Sequence, residues 1–213
     1  GPSLAIVATS HQDLLEKLAT ARTAINGNRA ELSDPSGIFY SAVPRFAGSQ
    51  VAFVFPGQGS QSVGMLKDLA IAFNEVRQAF EDFDSVLKRR GHQSIGQRVY
   101  PPPVFDDAGR AEQRDQLQST ENAQPAIGAA CVGLFRLLKS LGLEPHLTGG
   151  HSYGELVALH ASGALDFASF ATLSAERGSL MKNAGGENPG AMAALHADRK
   201  VVEELITGIP DVF

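Results

Sequence analysis

The chain has 213 residues, of which 43% are hydrophobic and 19% charged, and its net charge is −5. That mix supports a genuine core and excludes global disorder, and the acidic balance argues against a nucleic-acid surface. One cysteine, Cys131, cannot make an internal disulfide, and no stretch approaches the run of about 20 apolar residues that a membrane helix needs. The apolar opening, Ser3–Ser10, has no preceding Lys or Arg and is a poor leader peptide. Composition therefore points to a soluble, cytoplasmic α/β or α-rich protein.

In chain order, Leu14, Leu15, Leu18 and Ile25 keep helical spacing and predict a helix over Gln12–Ile25. Break signals follow at Asn26-Gly27-Asn28 and Asp34-Pro35-Ser36-Gly37, and the short aromatic run Gly37–Val43 reads as a strand. Gln50–Phe55 is apolar almost throughout and only six residues long, as expected of a parallel strand buried on both faces. It ends abruptly at Pro56-Gly57-Gln58-Gly59-Ser60-Gln61. Leu69, Phe73, Val76, Phe80, Phe83 and Leu87 predict one long helix over Lys67–Arg89. Gly91–Gly109, with three consecutive prolines, reads as a loop before a polar helical segment.

A further helix is predicted over Ala123–Leu141, with Asn122 as its cap and Gly142 closing it. His146–Gly149 is a short strand, and a helix to about Ser162 follows. Asp166 is placed to cap a helix ending near Asn183. Beyond the Gly-rich stretch 185–190, Ala191–His196 reads as a strand and Asp198–Thr207 as a helix, the start of a different module. Strands alternating with helices indicate an α/β class with a parallel sheet.

Two segments carry chemistry. Gly150-x-Ser152-x-Gly154 matches the nucleophile elbow in the context it needs, strand before and helix after. There the backbone approaches itself too closely for Cβ atoms, and the following helix N-terminus favours developing negative charge. Gly57-Gln58-Gly59 lies at the end of the other strand, where backbone N–H groups serve as oxyanion donors. It lacks the Gly-Lys-Ser/Thr ending of a phosphate loop, and Ser62 stands where a dinucleotide fingerprint requires its third glycine.

Together, Phe55-Pro56-Gly57-Gln58-Gly59-Ser60-Gln61 and Gly150-His151-Ser152-Tyr153-Gly154-Glu155 resemble the malonyl-CoA:acyl-carrier-protein transacylase family. That family includes the acyltransferase domains of polyketide and polyunsaturated fatty acid synthases. Asn122-Ala123-Gln124-Pro125-Ala126 is similar to the segment before the family's central helix. Arg177 falls 25 residues after Ser152, where malonyl-specific members carry an arginine. The resemblance implies an α/β-hydrolase-like core with a parallel sheet, plus the start of a small ferredoxin-like α+β subdomain. By it, residues 1–49 are a ketosynthase-to-acyltransferase linker, 50–188 the incomplete core and 189–213 the incomplete subdomain.

The implied reaction moves a malonyl group from malonyl-CoA, through a serine ester, to the phosphopantetheine thiol of an acyl carrier protein. Ser152 is the implied nucleophile, the backbone N–H groups of Gln58 and Tyr153 the oxyanion donors, and Arg177 the clamp for the malonyl carboxylate. Gln124 either orients the acyl group or caps its helix; His151 lines the pocket, and Glu155 satisfies backbone N–H groups at the elbow. The domain itself is expected to hold no cofactor and no metal. Its expected partners are the carrier protein, an upstream ketosynthase domain and a C-terminal part of the acyltransferase that supplies the general-base histidine. His11, His92, His146, His160 and His196 are not convincing substitutes for that base. Two alternatives stay open on the sequence: a serine esterase or thioesterase using the same elbow, and a non-catalytic structural or docking piece that retains it.

Overall fold

A computed structural model of the chain describes residues 1–43, 48–184, 193 and 195–210. The chain divides into two units, Gly1–Val51 and Ala52–Phe213.

In the first unit, β1 (Ser3–Ile6), β2 (Glu31–Asp34) and β3 (Ile38–Ser41) form an antiparallel sheet in the order β1-β3-β2. The predicted helix is α1 (His11–Asn26), started by Ser10, whose side chain accepts from the Asp13 N–H. The break at Asp34–Gly37 is a hairpin turn: Asp34 accepts from the Ser36 N–H at 2.8 Å, and Gly37 takes a φ of 104°. The predicted aromatic strand is therefore β3, while β1 and β2 are found only in the structure. Lys17 anchors α1 by donating to the Val7 carbonyl and to Asp13, at 2.8 and 2.9 Å.

The second unit is built on two parallel strands, β4 (Ala52–Phe55) and β5 (Leu147–Gly150), with Phe55 level with Gly150. Between them run α2 (Lys67–Ala72), α3 (Asn74–Arg89), α4 (Ile95–Val99), α5 (Asp107–Gln118) and α6 (Thr120–Ser140). After β5 come α7 (Gly154–Ala161), α8 (Phe167–Asn183) and α9 (Arg199–Ile206).

Four expectations change. The helix expected over Lys67–Arg89 is two helices, because Phe73 is extended at φ −125°, ψ 125°. The expected loop Gly91–Gly109 contains α4, started by Ser94, whose hydroxyl accepts from the Gln97 N–H. Asn122 does not cap α6: the helix begins after Ser119, and the Asn122 amide donates back to the Gln116 carbonyl. Finally, β4 is not buried on both faces among the described residues. Phe53 and Phe55 pack edge-on against Phe135 of α6, but Val54 on the opposite face is 76% exposed. By contrast, Asp166 caps α8 as expected, accepting from the Ser169 N–H at 2.9 Å. Of the strand expected over Ala191–His196, residues 191, 192 and 194 lie outside the described residues, as does the glycine-rich stretch before it; Ala193, Leu195 and His196 are described and are not strand.

The core lies where α3, α6 and α8 meet. Val76, Phe80, Phe83 and Leu87 of α3 face Ala126, Ile127 and Val132 of α6 and Phe170 and Ala171 of α8. Each large apolar side chain there contributes roughly 1.5–3 kcal/mol on burial. The centre of α6 is rich in Ala and Gly, so its neighbours approach closely: a Cβ on Gly133 would lie 3.0 Å from the Val76 Cα, and at the start of the helix one on Gly178 of α8 would lie 2.6 Å from the Thr120 carbonyl oxygen. That contact fixes the α6–α8 crossing beneath the candidate site.

Candidate active site

The elbow follows directly from the β4–β5 register. Once Phe55 and Gly150 are level, the His151 N–H donates to the Phe55 carbonyl at 3.1 Å, and the chain must then reverse at once into α7. Ser152 makes that reversal with a φ of 52°, a left-handed backbone that costs a non-glycine residue roughly 1–3 kcal/mol. The Gly154 and Glu155 N–H groups close the turn on the carbonyls of His151 and Ser152.

Both glycines of the motif are required by space. A Cβ on Gly150 would lie 2.0 Å from the Gly154 carbonyl carbon, and one on Gly154 would lie 2.2 Å from the Phe55 oxygen. The Gly57 loop is the opposite wall: a Cβ there would meet the His151 oxygen at 2.8 Å and the Ser152 Cβ at 3.3 Å. The two sequence segments thus form one site. Within the loop, Ser60 donates to the Gly57 carbonyl and the Gly59 N–H donates to the Gln61 side chain, at 2.9 and 2.8 Å. The Gln58 amide donates to the Thr120 hydroxyl at 3.3 Å, tying the loop to the start of α6.

Ser152 is exposed and its hydroxyl has no hydrogen-bond partner among the described residues. The backbone N–H groups of Gln58 and Tyr153 likewise donate to nothing among them. An exposed hydroxyl at the N-terminus of α7, beside two unspent N–H donors, can attack a carbonyl whose oxygen becomes negative in the transition state.

Tyr153 is fully buried. Its hydroxyl lies 2.7 Å from the Ser174 oxygen, and Ser174 spends its own proton on the Phe170 carbonyl at 2.8 Å. The phenol is therefore the donor of the Tyr153–Ser174 pair. Burial pushes that phenol far above its ordinary range, while the charge of Arg177 acts in the opposite direction. Ser174, Arg177, Gly178 and Met181 recur at three- and four-residue steps and share the α8 face that meets α6 and the elbow. Arg177 is partly buried and forms no ion pair among the described residues, unlike its neighbour Glu176, which lies 3.7 Å from His92.

Gln124 is also fully buried, one turn into α6 from Thr120. Its amide nitrogen donates to the Met181 sulfur at 3.3 Å, and its side-chain oxygen is the one buried side-chain nitrogen or oxygen without a partner among the described residues. The capping role is not what is observed. His151 is exposed beside the nucleophile. Glu155 is exposed, and its carboxylate accepts no hydrogen bond among the described residues, so the structure gives no sign of the capping expected of it. His160 is a packing residue, stacked 5.0 Å from Phe170 with its ring nitrogen on the Leu165 carbonyl. No cluster of three or more metal-ligating side chains occurs among the described residues, and no helix there is long and apolar enough to cross a membrane.

Sequence reasoning missed Ser174, Met181 and Gly128. The only signal for Ser174 is its place one turn before Arg177, and Gly128 stands out only as a glycine inside a strongly helical run.

Comparison with known proteins agrees with this geometry. A family model described as the acyl transferase domain matches residues 52–213. The polyketide synthase GfsA of Streptomyces halstedii is 35% identical over 227 aligned residues, covering 93% of this chain and 3% of that protein. The malonyl CoA-acyl carrier protein transacylase of Escherichia coli is 38% identical over 148 residues, covering 69% of this chain and 43% of that protein. Among solved structures, the acyltransferase domain from the second module of the salinomycin polyketide synthase has a TM-score of 0.64 at 29% identity, covering 85% of this chain and 38% of that one. The chain thus spans less than half the length of each of these relatives. Its mixed α/β fold with a parallel sheet is theirs, and with the family model matching more than half of its residues the chain belongs to the acyl transferase domain family.

Proposed function

We propose that this chain carries the nucleophile half of an acyltransferase that moves a malonyl group from malonyl-CoA to an acyl carrier protein, in polyketide or fatty acid synthesis. The observation that carries the reading is Ser152, held at φ 52° against the Gly57 loop, with the N–H groups of Gln58 and Tyr153 donating to nothing among the described residues. In the first half-reaction the Ser152 oxygen attacks the thioester carbonyl and passes its proton to a general base from outside the described residues. The C–S bond then breaks, CoA leaves as its thiol, and a malonyl-serine ester remains. In the second, the phosphopantetheine thiol of the carrier protein attacks that ester and Ser152 recovers its proton. Each oxyanion N–H is worth roughly 3–4 kcal/mol in such a step.

Arg177 gives the substrate class a physical reason. A guanidinium without a carboxylate partner among the described residues matches the free carboxylate of malonate as a bidentate pair, which an acetyl group does not offer. Gln124, fixed by Met181 and with a free buried acceptor, orients the acyl group beside it. His151 lines the entrance.

Residues 1–49 act as a linker from an upstream ketosynthase domain, and 189–213 begin a ferredoxin-like subdomain. A match over 93% of the chain in the polyketide synthase GfsA, of which it covers 3%, reaches into residues 1–51, which the family model leaves out. That asymmetry supports a place in a multidomain synthase.

The test is intact-mass spectrometry of the full-length protein after brief exposure to malonyl-CoA, then with holo carrier protein added. The expected results are one malonyl adduct on the native protein, none on Ser152→Ala, and transfer to the carrier protein on its addition. Free malonate that the carrier protein does not divert would mark a hydrolase, and no adduct at all would mark a non-catalytic piece.

A further inference from the structure

The structure assigns Ser174 as a positioning residue that registers the oxyanion donor of the elbow against the arginine on α8; the assignment rests on the acyltransferase reading above. Tyr153 has two separate roles. Its backbone N–H points to the developing oxyanion, while its side chain runs into the core and ends on the Ser174 hydroxyl at 2.7 Å. Because the ring is rigid and fully buried, fixing its far end fixes the orientation of the residue that bears the N–H.

The slot is shaped for that hydroxyl. Gly128 of α6 leaves room for it, since a Cβ there would lie 2.3 Å from the phenol oxygen, and Phe83 and Phe170 close the sides, at 2.9 and 3.2 Å from the same point. Ser174 is itself held, because its proton goes to the Phe170 carbonyl. Its oxygen is therefore free only to accept, and Tyr153 is the donor it accepts from.

Arg177 stands one helical turn further along α8, on the same face. The oxyanion donor and the carboxylate clamp are thereby referenced to one atom, the Ser174 oxygen, through two rigid elements. A malonyl group binds both ends at once, with its thioester carbonyl at the elbow and its carboxylate at the guanidinium. The distance between those ends is what the Tyr153–Ser174 bond sets. An acetyl group uses only the first end, so it depends on the aim of the oxyanion N–H but not on the span between the two ends.

The test compares native full-length protein with S174A and Y153F, measuring transfer from malonyl-CoA and from acetyl-CoA together with thermal unfolding. Misplacing a bound group by about 1 Å costs up to a hundredfold in rate, so S174A is expected to lower malonyl transfer about ten- to a hundredfold. Acetyl transfer should fall much less, so the malonyl-to-acetyl preference narrows. Y153F deletes the same bond from the other end and leaves Ser174 on Phe170, so it should narrow the preference in the same direction; it carries the test alone if S174A does not fold. A lower unfolding temperature with an unchanged malonyl-to-acetyl ratio in the folded variants would overturn the assignment and leave an ordinary core hydrogen bond. Native protein that forms no malonyl ester at all would instead overturn the acyltransferase reading.

Discussion

Gly128 offers a contest between two effects of opposite sign. It lies in the middle of α6, a helix of 21 residues, where replacing glycine by alanine stabilises a helix by about 1 kcal/mol in the absence of other contacts. Here the added methyl would lie 2.3 Å from the Tyr153 hydroxyl oxygen, 2.9 Å from the Phe83 ring and 3.2 Å from the Phe170 ring. None of the three can step aside: Tyr153, Phe83 and Phe170 are all fully buried, and the last two stack edge-on at 5.5 Å. Overpacking of this kind costs about 1–3 kcal/mol. Displacing the phenol also leaves its hydroxyl buried without an acceptor, a further cost of about 1–3 kcal/mol.

The costs together exceed the helix gain across their range, and Gly128→Ala is expected to destabilise the protein by about 1–5 kcal/mol, a large part of a typical domain's 5–15 kcal/mol. In thermal unfolding that corresponds to a drop of roughly 2–20 °C for a chain of this size. Urea unfolding followed by circular dichroism gives the free energy directly. Combining Gly128→Ala with Tyr153→Phe removes the nearest clash and should restore more than half of the loss, a non-additivity expected only of residues in contact. A single Gly128→Ala variant as stable as the native protein or more so would refute the reasoning, because helix propensity would then have prevailed over the slot.

Arg177→Ala should lower malonyl transfer about ten- to a hundredfold, the worth of hydrogen bonds to a charged group, and leave acetyl transfer nearly unchanged. Competition between equal amounts of malonyl-CoA and acetyl-CoA reads this out, and an unaltered ratio would sink the clamp. Cys131 is buried in the core, and burial raises its thiol from 9.0 to about 12. In the folded state it should resist iodoacetamide at pH 8 and react once the protein is unfolded. The thiol binds its proton more tightly folded than unfolded, so its contribution to stability is complete below pH 9. That contribution falls by about 1.4 kcal/mol per unit between pH 9 and 12. Cys131→Ala should flatten this alkaline decline, as measured by urea unfolding across that range.

The sequence conveys some parts of this molecule well and others hardly at all, and the difference is physical. Elements with a strong local signal were legible: α1 from its leucine spacing, and α8 from Asp166, which does cap it. The break at Phe73 was not, because an apolar residue at that position continues the helical spacing on both sides, and only the extended backbone there separates α2 from α3. Strands β1 and β2 are four residues each and gain their pairing from β3, so neither carries a pattern of its own. For the site, the residue types and spacings of Gly150–Gly154 and Gly57–Gly59 sufficed, since backbone crowding there admits only glycine. Ser174 and Met181 were invisible: a serine and a methionine on a helix announce nothing until Tyr153 and Gln124 are found at the other end of their hydrogen bonds.

The glycines explain why the elbow and the loop cannot be judged one at a time. Read separately, each is a common turn. In the structure, Gly57 makes room for His151 and Ser152, Gly150 makes room for Gly154, and Gly154 makes room for the Phe55 carbonyl, which also accepts the His151 N–H. Each contact depends on another, and the circuit closes across 97 residues of sequence, from Gly57 to Gly154. Strain at Ser152 persists because the tightest contacts around it, at Gly57, Gly150 and Gly154, are with backbone atoms that cannot step aside. A lone chance GxSxG would satisfy one of these contacts. Here all three lie around a single serine, beside two N–H groups that donate to nothing among the described residues, and that convergence favours the proposed nucleophile over a turn.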